Sequence, residues 1–216
     1  IEVEHQRCLE TLCKESPLKN KYTPLLIEGE DERGIDVGCL FDASRFQKVE
    51  AIAHGVSLPD NDKTRHILEV NGMIEGSPFS FFINHWPSRS GGEKRSEPGR
   101  VAAAQVCRNH MDSIARIEKN PKVFLMGDLN DDPINKSITQ VIGAKSDKED
   151  VIKGGMYNPW TDLYKKGYGT LAYQDAWGLF DQILVSHPLL DENQKGFFLK
   201  TARIFNKEYM VENKGR

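Results

Sequence analysis

The stretch from Lys122 to Pro133, KVFLMGDLNDDP, constrains the chain more than any other. Val123 to Met126 is a short apolar run bounded by Pro121 and Gly127, which predicts a buried strand. The run then delivers Asp128 and Asn130. Side chains two apart on an extended backbone point to one side, so both polar groups share a face at the strand's end. Gly127 permits a tight turn or a close approach of backbone to a ligand. A carboxylate and an amide at the mouth of a rigid sheet can hold a water, a metal or a phosphoryl oxygen. They can equally form an Asn/Asp-rich turn that only stops the strand. The motif alone leaves both readings open.

Composition narrows the alternatives. With 216 residues and 38% hydrophobic content, the chain can bury one sizeable core and fits a single domain over residues 1–216. Twenty-nine Lys and Arg face 32 Asp and Glu, a formal net charge of -3, so contact with a polyanion would need a local patch. No apolar run approaches the roughly 20 residues of a membrane span, and no signal peptide is visible. The chain opens at Ile1 without an initiator Met, in what reads as the end of a strand. The expectation is that the natural N-terminus lies upstream. Cys8, Cys13, Cys39 and Cys107 show neither CxxC nor zinc spacing, and Cys39 and Cys107 sit in apolar patterns as small core residues.

In chain order, Cys8, Leu9 and Leu12 have helical spacing after Glu2, which would sit at a strand-to-helix junction. A carboxylate there suits a hard cation such as Mg²⁺, or is a first-turn acid favoured by the helix dipole. Strands are expected at Pro24 to Glu28, Ile35 to Phe41, Phe46 to Ala53, His66 to Ile74 and Pro78 to Ile83. Asp36 is unusual inside its run and reads as a satisfied edge residue or a supporting carboxylate. Asn71-Gly72 signals a hairpin turn. Ser96 is the candidate N-cap of a helix to about Lys119. His110 lies on that helix's apolar stripe and reads as a core-edge histidine. A short helix from Pro133 to Ile142, a loop over 143–158, a helix at Trp160 to Tyr164, a strand at Thr170 to Tyr173 and a turn at Trp177-Gly178 follow. The last strand is Phe180 to Ser186. It carries Asp181, for which burial would demand a partner.

Two further stretches bear on chemistry. The strand ending at Ile83 runs into Asn84, His85, Trp86, Pro87, Ser88 and Arg89. A His held there is either hydrogen-bonded to backbone or donates to a phosphoryl oxygen. Arg89, Lys94, Arg95 and Arg100 make the following loop basic, as a solvated charged loop or as a site for an anionic substrate.

Four ordered pieces resemble the endonuclease/exonuclease/phosphatase superfamily, the deoxyribonuclease-like fold. They are Glu2-Val3-Glu4, Asn84-His85-Trp86-Pro87-Ser88-Arg89, Gly127-Asp128-Leu129-Asn130-Asp131, and Phe180-Asp181-Gln182-Ile183-Leu184-Val185-Ser186. Each is weak alone; the ordered set, each at the end of an apolar strand, is specific and covers nearly the whole chain. The likeness is strongest to bacterial, often exported members, which leans toward a periplasmic or secreted location. The resemblance implies an α/β (α+β) four-layered sandwich with two central, mostly antiparallel sheets flanked by helices. It implies hydrolysis of phosphodiesters or phosphomonoesters with Mg²⁺ or Mn²⁺ and a phosphoester substrate, nucleic acid among the candidates; the sequence leaves the oligomeric state open, with a monomer favoured. Glu2 is then the metal-ligand glutamate, and His85 contacts the scissile phosphate. Asp128 activates water, Asn130 orients the phosphoryl group, and Asp181 orients a second histidine. Asn84, Arg89 and Arg100 are the candidate substrate-binding residues. The family's first strand, with a metal-proximal Asn, and its last, with a Ser-Asp-His motif, would fall outside residues 1–216. This implies a chain trimmed at both ends.

Overall fold

The computed structural model describes residues 2–15, 18–59, 61–194 and 196–210. Its frame is a six-stranded sheet in the order β3-β4-β5-β6-β10-β7. These strands are β3 (Phe46–His54), β4 (Ile67–Ile74), β5 (Ser77–His85), β6 (Lys122–Asp128), β7 (Met156–Tyr157) and β10 (Asp181–Ser186). All neighbours in it are antiparallel except β5 and β6. That parallel pair needs a crossover, and the crossover is helix α2 (Glu93–Ile117).

Alternation along the strands gives the sheet two buried faces. On one, Phe82, Val123, Leu125 and Leu184 pack against Ala103, Ala104, Cys107 and Met111 of α2 and Ile138 and Ile142 of a π-helical turn over Ser137–Ile142. On the other, Leu68, Val70, Phe79 and Ile83 meet Val37, Cys39 and Leu25. Those last three sit on or beside a two-stranded ladder, β1 (Thr23–Leu26) with β2 (Gly38–Phe41). Helix α1 (Gln6–Lys14) lies beside this ladder. The order helix, small sheet, large sheet, helix agrees with the mixed α/β layering expected, with the second sheet reduced to two strands among the described residues. A short helix α3 (Thr161–Lys165) and a hairpin of β8 (Leu171–Tyr173) with β9 (Ala176–Gly178) complete the elements that bear on the site.

Several local expectations are corrected. Asn71-Gly72 is no turn: β4 runs straight through it, and the hairpin to β5 turns at Glu75-Gly76, both at positive φ. Gly72 is there because the Phe46 ring fills the space a side chain would take. Helix α2 starts at Glu93 after Gly92, and Ser96 lies inside its first turns, donating back to the Gly92 carbonyl at 2.8 Å rather than capping. Trp177-Gly178 belongs to a strand, and the turn is Gln174-Asp175, both left-handed. Helix α1 buries Leu9 and Cys13, while Leu12 and Cys8 face solvent.

Gly127 is the tightest point. Its φ is +132°, and a Cβ there would overlap the Asn84 carbonyl oxygen on the adjacent strand. Gly127→Ala therefore strains both its own backbone and the β5–β6 pairing. The expected loss is about 3 kcal/mol in urea unfolding, or failure to fold; unchanged stability would contradict the packing described.

Candidate active site at the strand tips

The sheet brings three chain-distant residues to one edge. The parallel register sets His85 opposite Asp128, and the antiparallel register sets Asp181 opposite Asp128. The tips are tied by backbone bonds that continue the ladders: Trp86 N–H donates to the Asp128 carbonyl at 3.0 Å, and Leu129 N–H to the Phe180 carbonyl at 2.9 Å. Glu2 arrives from the other layer. Val3 and Asp36 exchange two backbone hydrogen bonds at 3.0 and 2.8 Å, and the half-exposed Glu2 carboxylate comes within 3.7 Å of His85 Nδ1. His85 Nε2 is 3.6 Å from Asp128 Oδ2. Asp36 is a satisfied buried carboxylate that accepts the Gly29 N–H at 2.9 Å, and its backbone bridges to Val3, the neighbour of Glu2.

Asn130 follows Asp128 in the left-handed region, at φ 49°. Asp128 Oδ1 accepts the Asn130 N–H at 2.9 Å, an Asx-type turn, and Asn130 Nδ2 donates to the Trp86 carbonyl at 3.0 Å. So the turn reading holds, and the turn carries Asp128 and Asn130 at the strand tips. One Asn130 N–H and its Oδ1 remain for a ligand.

The side chains expected to bind substrate on this loop are otherwise employed. Asn84 is fully buried; its amide donates to the Phe82 carbonyl at 2.8 Å, and its oxygen accepts from Trp86 Nε1 at 2.8 Å. Arg100 is fully buried too. It donates to Asp131 at 2.6 Å and to the Glu93 carbonyl at 2.9 Å. Arg89 bonds the Asn130 carbonyl and Asp132 at 2.9 and 3.0 Å, with its guanidinium over the Phe180 ring. The two arginines hold the Asp131-Asp132 corner beneath the strand tips, and Asn84 braces the end of β5. Asp132 in turn accepts the Leu179 N–H at 2.7 Å, and Gln182 donates to the Asp131 carbonyl at 2.7 Å. Lys94, Arg95 and Arg100 belong to α2 and not to a loop, and of them Lys94 and Arg95 are exposed.

Asp181 was expected to be buried with a partner. It is exposed at the start of β10, where water can solvate it, so burial demands none. Sequence reasoning missed Arg65, just ahead of β4. It is buried beneath the tips and donates to the His85 and Trp86 carbonyls, both at 3.0 Å. Asp31 lies 3.3 Å from Arg65 and also pairs with the exposed Arg33 at 3.1 Å. A groove lined by Asp31, Arg33, Lys63, Arg65 and Pro87 opens there.

A match over residues 1–216 to the model described as "Endonuclease/Exonuclease/phosphatase family" decides the kinship. The chain belongs to that family. No curated protein matches it significantly. Solved structures with a similar fold include the human Nocturnin catalytic domain with bound sulfate, 17% identical, TM-score 0.55, covering 85% of this chain and 66% of that one. Truncated Caenorhabditis elegans TDP2 is 19% identical, TM-score 0.57, covering 87% and 70%. The Bacteroides thetaiotaomicron mannosyl-6-phosphatase is 18% identical, TM-score 0.53, covering 82% and 67%. At these identities the likeness is one of fold. This family member thus spans about two thirds of each of those chains, and no helix among its described residues is long and apolar enough to cross a membrane.

Electrostatics fit a divalent cation. Asp128 is held above the usual carboxylate range, first by burial and then by Asp181 and Glu2 nearby, against the pull of the Asn130 N–H and Arg65. The neighbouring negative charges of Asp181 and Glu2 favour a cation at Asp128. Hard oxygen donors from Glu2, Asp128 and Asp181 suit Mg²⁺ or Mn²⁺, and the buried His85 Nδ1 has no hydrogen-bond partner.

His85 itself is pushed down to about 4 by burial and by the Arg65 guanidinium. The facing carboxylates at 3.7 and 3.6 Å are too distant for hydrogen bonds and do not outweigh this. The folded imidazole is then neutral where the unfolded one, near 6.5, is protonated. The unfolded state binds more protons, so stability falls as pH drops from about 6.5 toward about 4. An NMR titration of the metal-free protein should give a His85 midpoint near that lower value; a midpoint near 6.5 would contradict it.

Arg100 separates a support from a substrate ligand. Arg100→Met removes the 2.6 Å partner of buried Asp131, leaving it the Ser137 hydroxyl and Arg89 at 3.5 Å, and should cost about 3 kcal/mol in urea unfolding. Arg95→Ala should stay within about 0.5 kcal/mol of the parent.

Proposed function

We propose that this protein is a metal-dependent phosphohydrolase that cleaves phosphodiester or phosphomonoester bonds by in-line attack of water. The observation that carries the reading is the meeting of Glu2, His85, Asp128, Asn130 and Asp181 at one sheet edge, on a chain of this family. Membership in a family whose name joins nucleases with phosphatases supports phosphoester chemistry; the metal and the substrate are our inference.

Glu2 is the proposed metal ligand, and Asp128 and Asp181, opposite each other in the β6–β10 register, are proposed to add oxygen donors. A bound Mg²⁺ or Mn²⁺ would supply neutralisation of phosphate charge and stabilisation of the leaving oxygen. Asp128 holds the attacking water and accepts its proton. Burial raises this carboxyl toward the working pH, which suits a base. His85, neutral at pH 7, donates one N–H to a phosphoryl oxygen, and Asn130 donates its free amide N–H to another. The Asn130 amide is fixed before substrate arrives by its bond to the Trp86 carbonyl, and Arg65 holds the His85 backbone. Little reorganisation then accompanies charge development.

Substrate size is argued from what remains exposed. A nuclease reading leaned on the basic loop, but Arg100 and Arg89 are locked in the scaffold. The groove cations Arg33 and Lys63 are also matched, by Asp31 and Glu30. Together with the formal charge of -3, this favours a small phosphoester, such as a sugar phosphate or lipid head group, over a long polyanion. A noncatalytic binding member of the fold is the other class, and it would lack the intact acidic set seen at the tips.

Asp128→Ala should lower metal-dependent hydrolysis of bis-p-nitrophenyl phosphate or DNA by about 10³-fold or more, and EDTA should abolish it in the parent. Wild-type turnover in Asp128→Ala would contradict the mechanism. Mg²⁺- or Mn²⁺-dependent thermal stabilisation without turnover on any phosphoester would favour the binding module.

A further inference from the structure

Away from the strand tips, three ligating side chains from three elements meet between the sheet and α2. His54 ends β3, Glu69 lies in β4, and His110 projects from α2. The register sets His54 opposite Ile67, two residues from Glu69 on the face that packs on α2, so the sheet itself aims this pair at the helix. His54 Nε2 is 2.7 Å from Glu69 Oε2. Asn71 Nδ2 donates to the other carboxylate oxygen at 2.7 Å, which fixes its plane. The His110 ring stacks on His54 with centroids 3.6 Å apart and planes 26° apart. One ligand atom from each residue lies within 4.8 Å of the others.

The pattern was unremarkable in the sequence, where His110 read as a core-edge histidine. Its surroundings are not those of a greasy core edge. Glu69 is 5% exposed, and a carboxylate that deep needs compensation. A hydrogen bond from His54 supplies part of it. It does not account for a second imidazole laid over the first from a different element.

We infer that His54, Glu69 and His110 form a second metal site, for a borderline transition-metal ion of the Zn²⁺ class. Two ring nitrogens and one carboxylate suit Zn²⁺, Co²⁺ or Ni²⁺, and they differ in kind from the all-oxygen acids proposed for Mg²⁺. Three protein ligands leave a fourth position on a tetrahedral ion for water. Asn71 is the outer partner that orients the ligating carboxylate. The stacked rings turn apart about χ2 to admit the ion, and His110, on the half-exposed side, opens the entry path. A site here pins the edge pair β3–β4 to α2, the helix that makes the crossover between β5 and β6.

The test uses the full 216-residue chain carrying Asp128→Asn, which silences the proposed hydrolytic site and leaves the cluster intact. Co²⁺ is the probe, read by its visible d–d absorption, with Zn²⁺ affinity read by calorimetry. One equivalent of Co²⁺ should give intense tetrahedral bands that Zn²⁺ bleaches, and Zn²⁺ should raise Tm by about 5 °C. Adding His110→Gln, at a half-exposed helix position, should weaken Zn²⁺ binding by about 100-fold or more and remove the bands. Independently, Zn²⁺ should protect His54 and His110 from diethyl pyrocarbonate in the protein without substitutions at the cluster. Binding that is absent, or identical with and without His110→Gln, overturns the proposal, as does unprotected modification of both rings. None of these readouts uses turnover.

Discussion

The parallel pairing of β5 with β6 is the constraint on which the rest depends. It sets the ends of two buried strands side by side and pointing the same way, so His85 and Asp128 emerge together. Parallel neighbours demand a crossover, and α2 supplies it while covering the sheet's inner face. The pairing is close enough at its end that only a glycine fits opposite the Asn84 carbonyl. One backbone contact therefore links sheet register, crossover helix and the placement of two reactive side chains.

Around that pair the fold spends most of its buried polar groups on holding loops still. Asn84, Trp86 and Cys107 form one hydrogen-bonded group behind β5. Arg100, Asp131 and Ser137 form another under the Asp-rich corner. Arg65 forms a third beneath His85. Such groups are costly unless satisfied, and here each finds a partner on or behind the strand tips. The rigid tips and the buried polar network are two views of the same arrangement.

The strands that carry the site were legible because each is a short apolar run ending in polar residues: Pro78 to Ile83, Val123 to Met126 and Phe180 to Ser186 all appear in the sheet. The Gly127-Asp128-Leu129-Asn130 corner was legible because glycine, Asp and Asn each have a distinct local preference. Helix α2 was legible in part of its stripe, Ala103 and Cys107, but not at its end, where Ile117 is exposed, nor in its start, since Ser96 signals a cap and instead bonds back within the first turns. What charge alone suggests proved least reliable. Arg100 read as a substrate cation and is a buried support, because its partner Asp131 lies 31 positions along the chain. Arg65 carried no local signal at all, for the same reason. The His54–Glu69–His110 meeting depends on strand register and helix docking together, and neither is written in a window of sequence.

The central claim is that these tips form one divalent-ion site. Paramagnetic broadening by substoichiometric Mn²⁺, followed by NMR on the backbone amides, measures it most directly. The account predicts that His85, Asp128, Asn130 and Asp181 broaden first and together, and that Glu2→Gln removes the effect. Broadening that spares these four residues, or that is unchanged by Glu2→Gln, would contradict it.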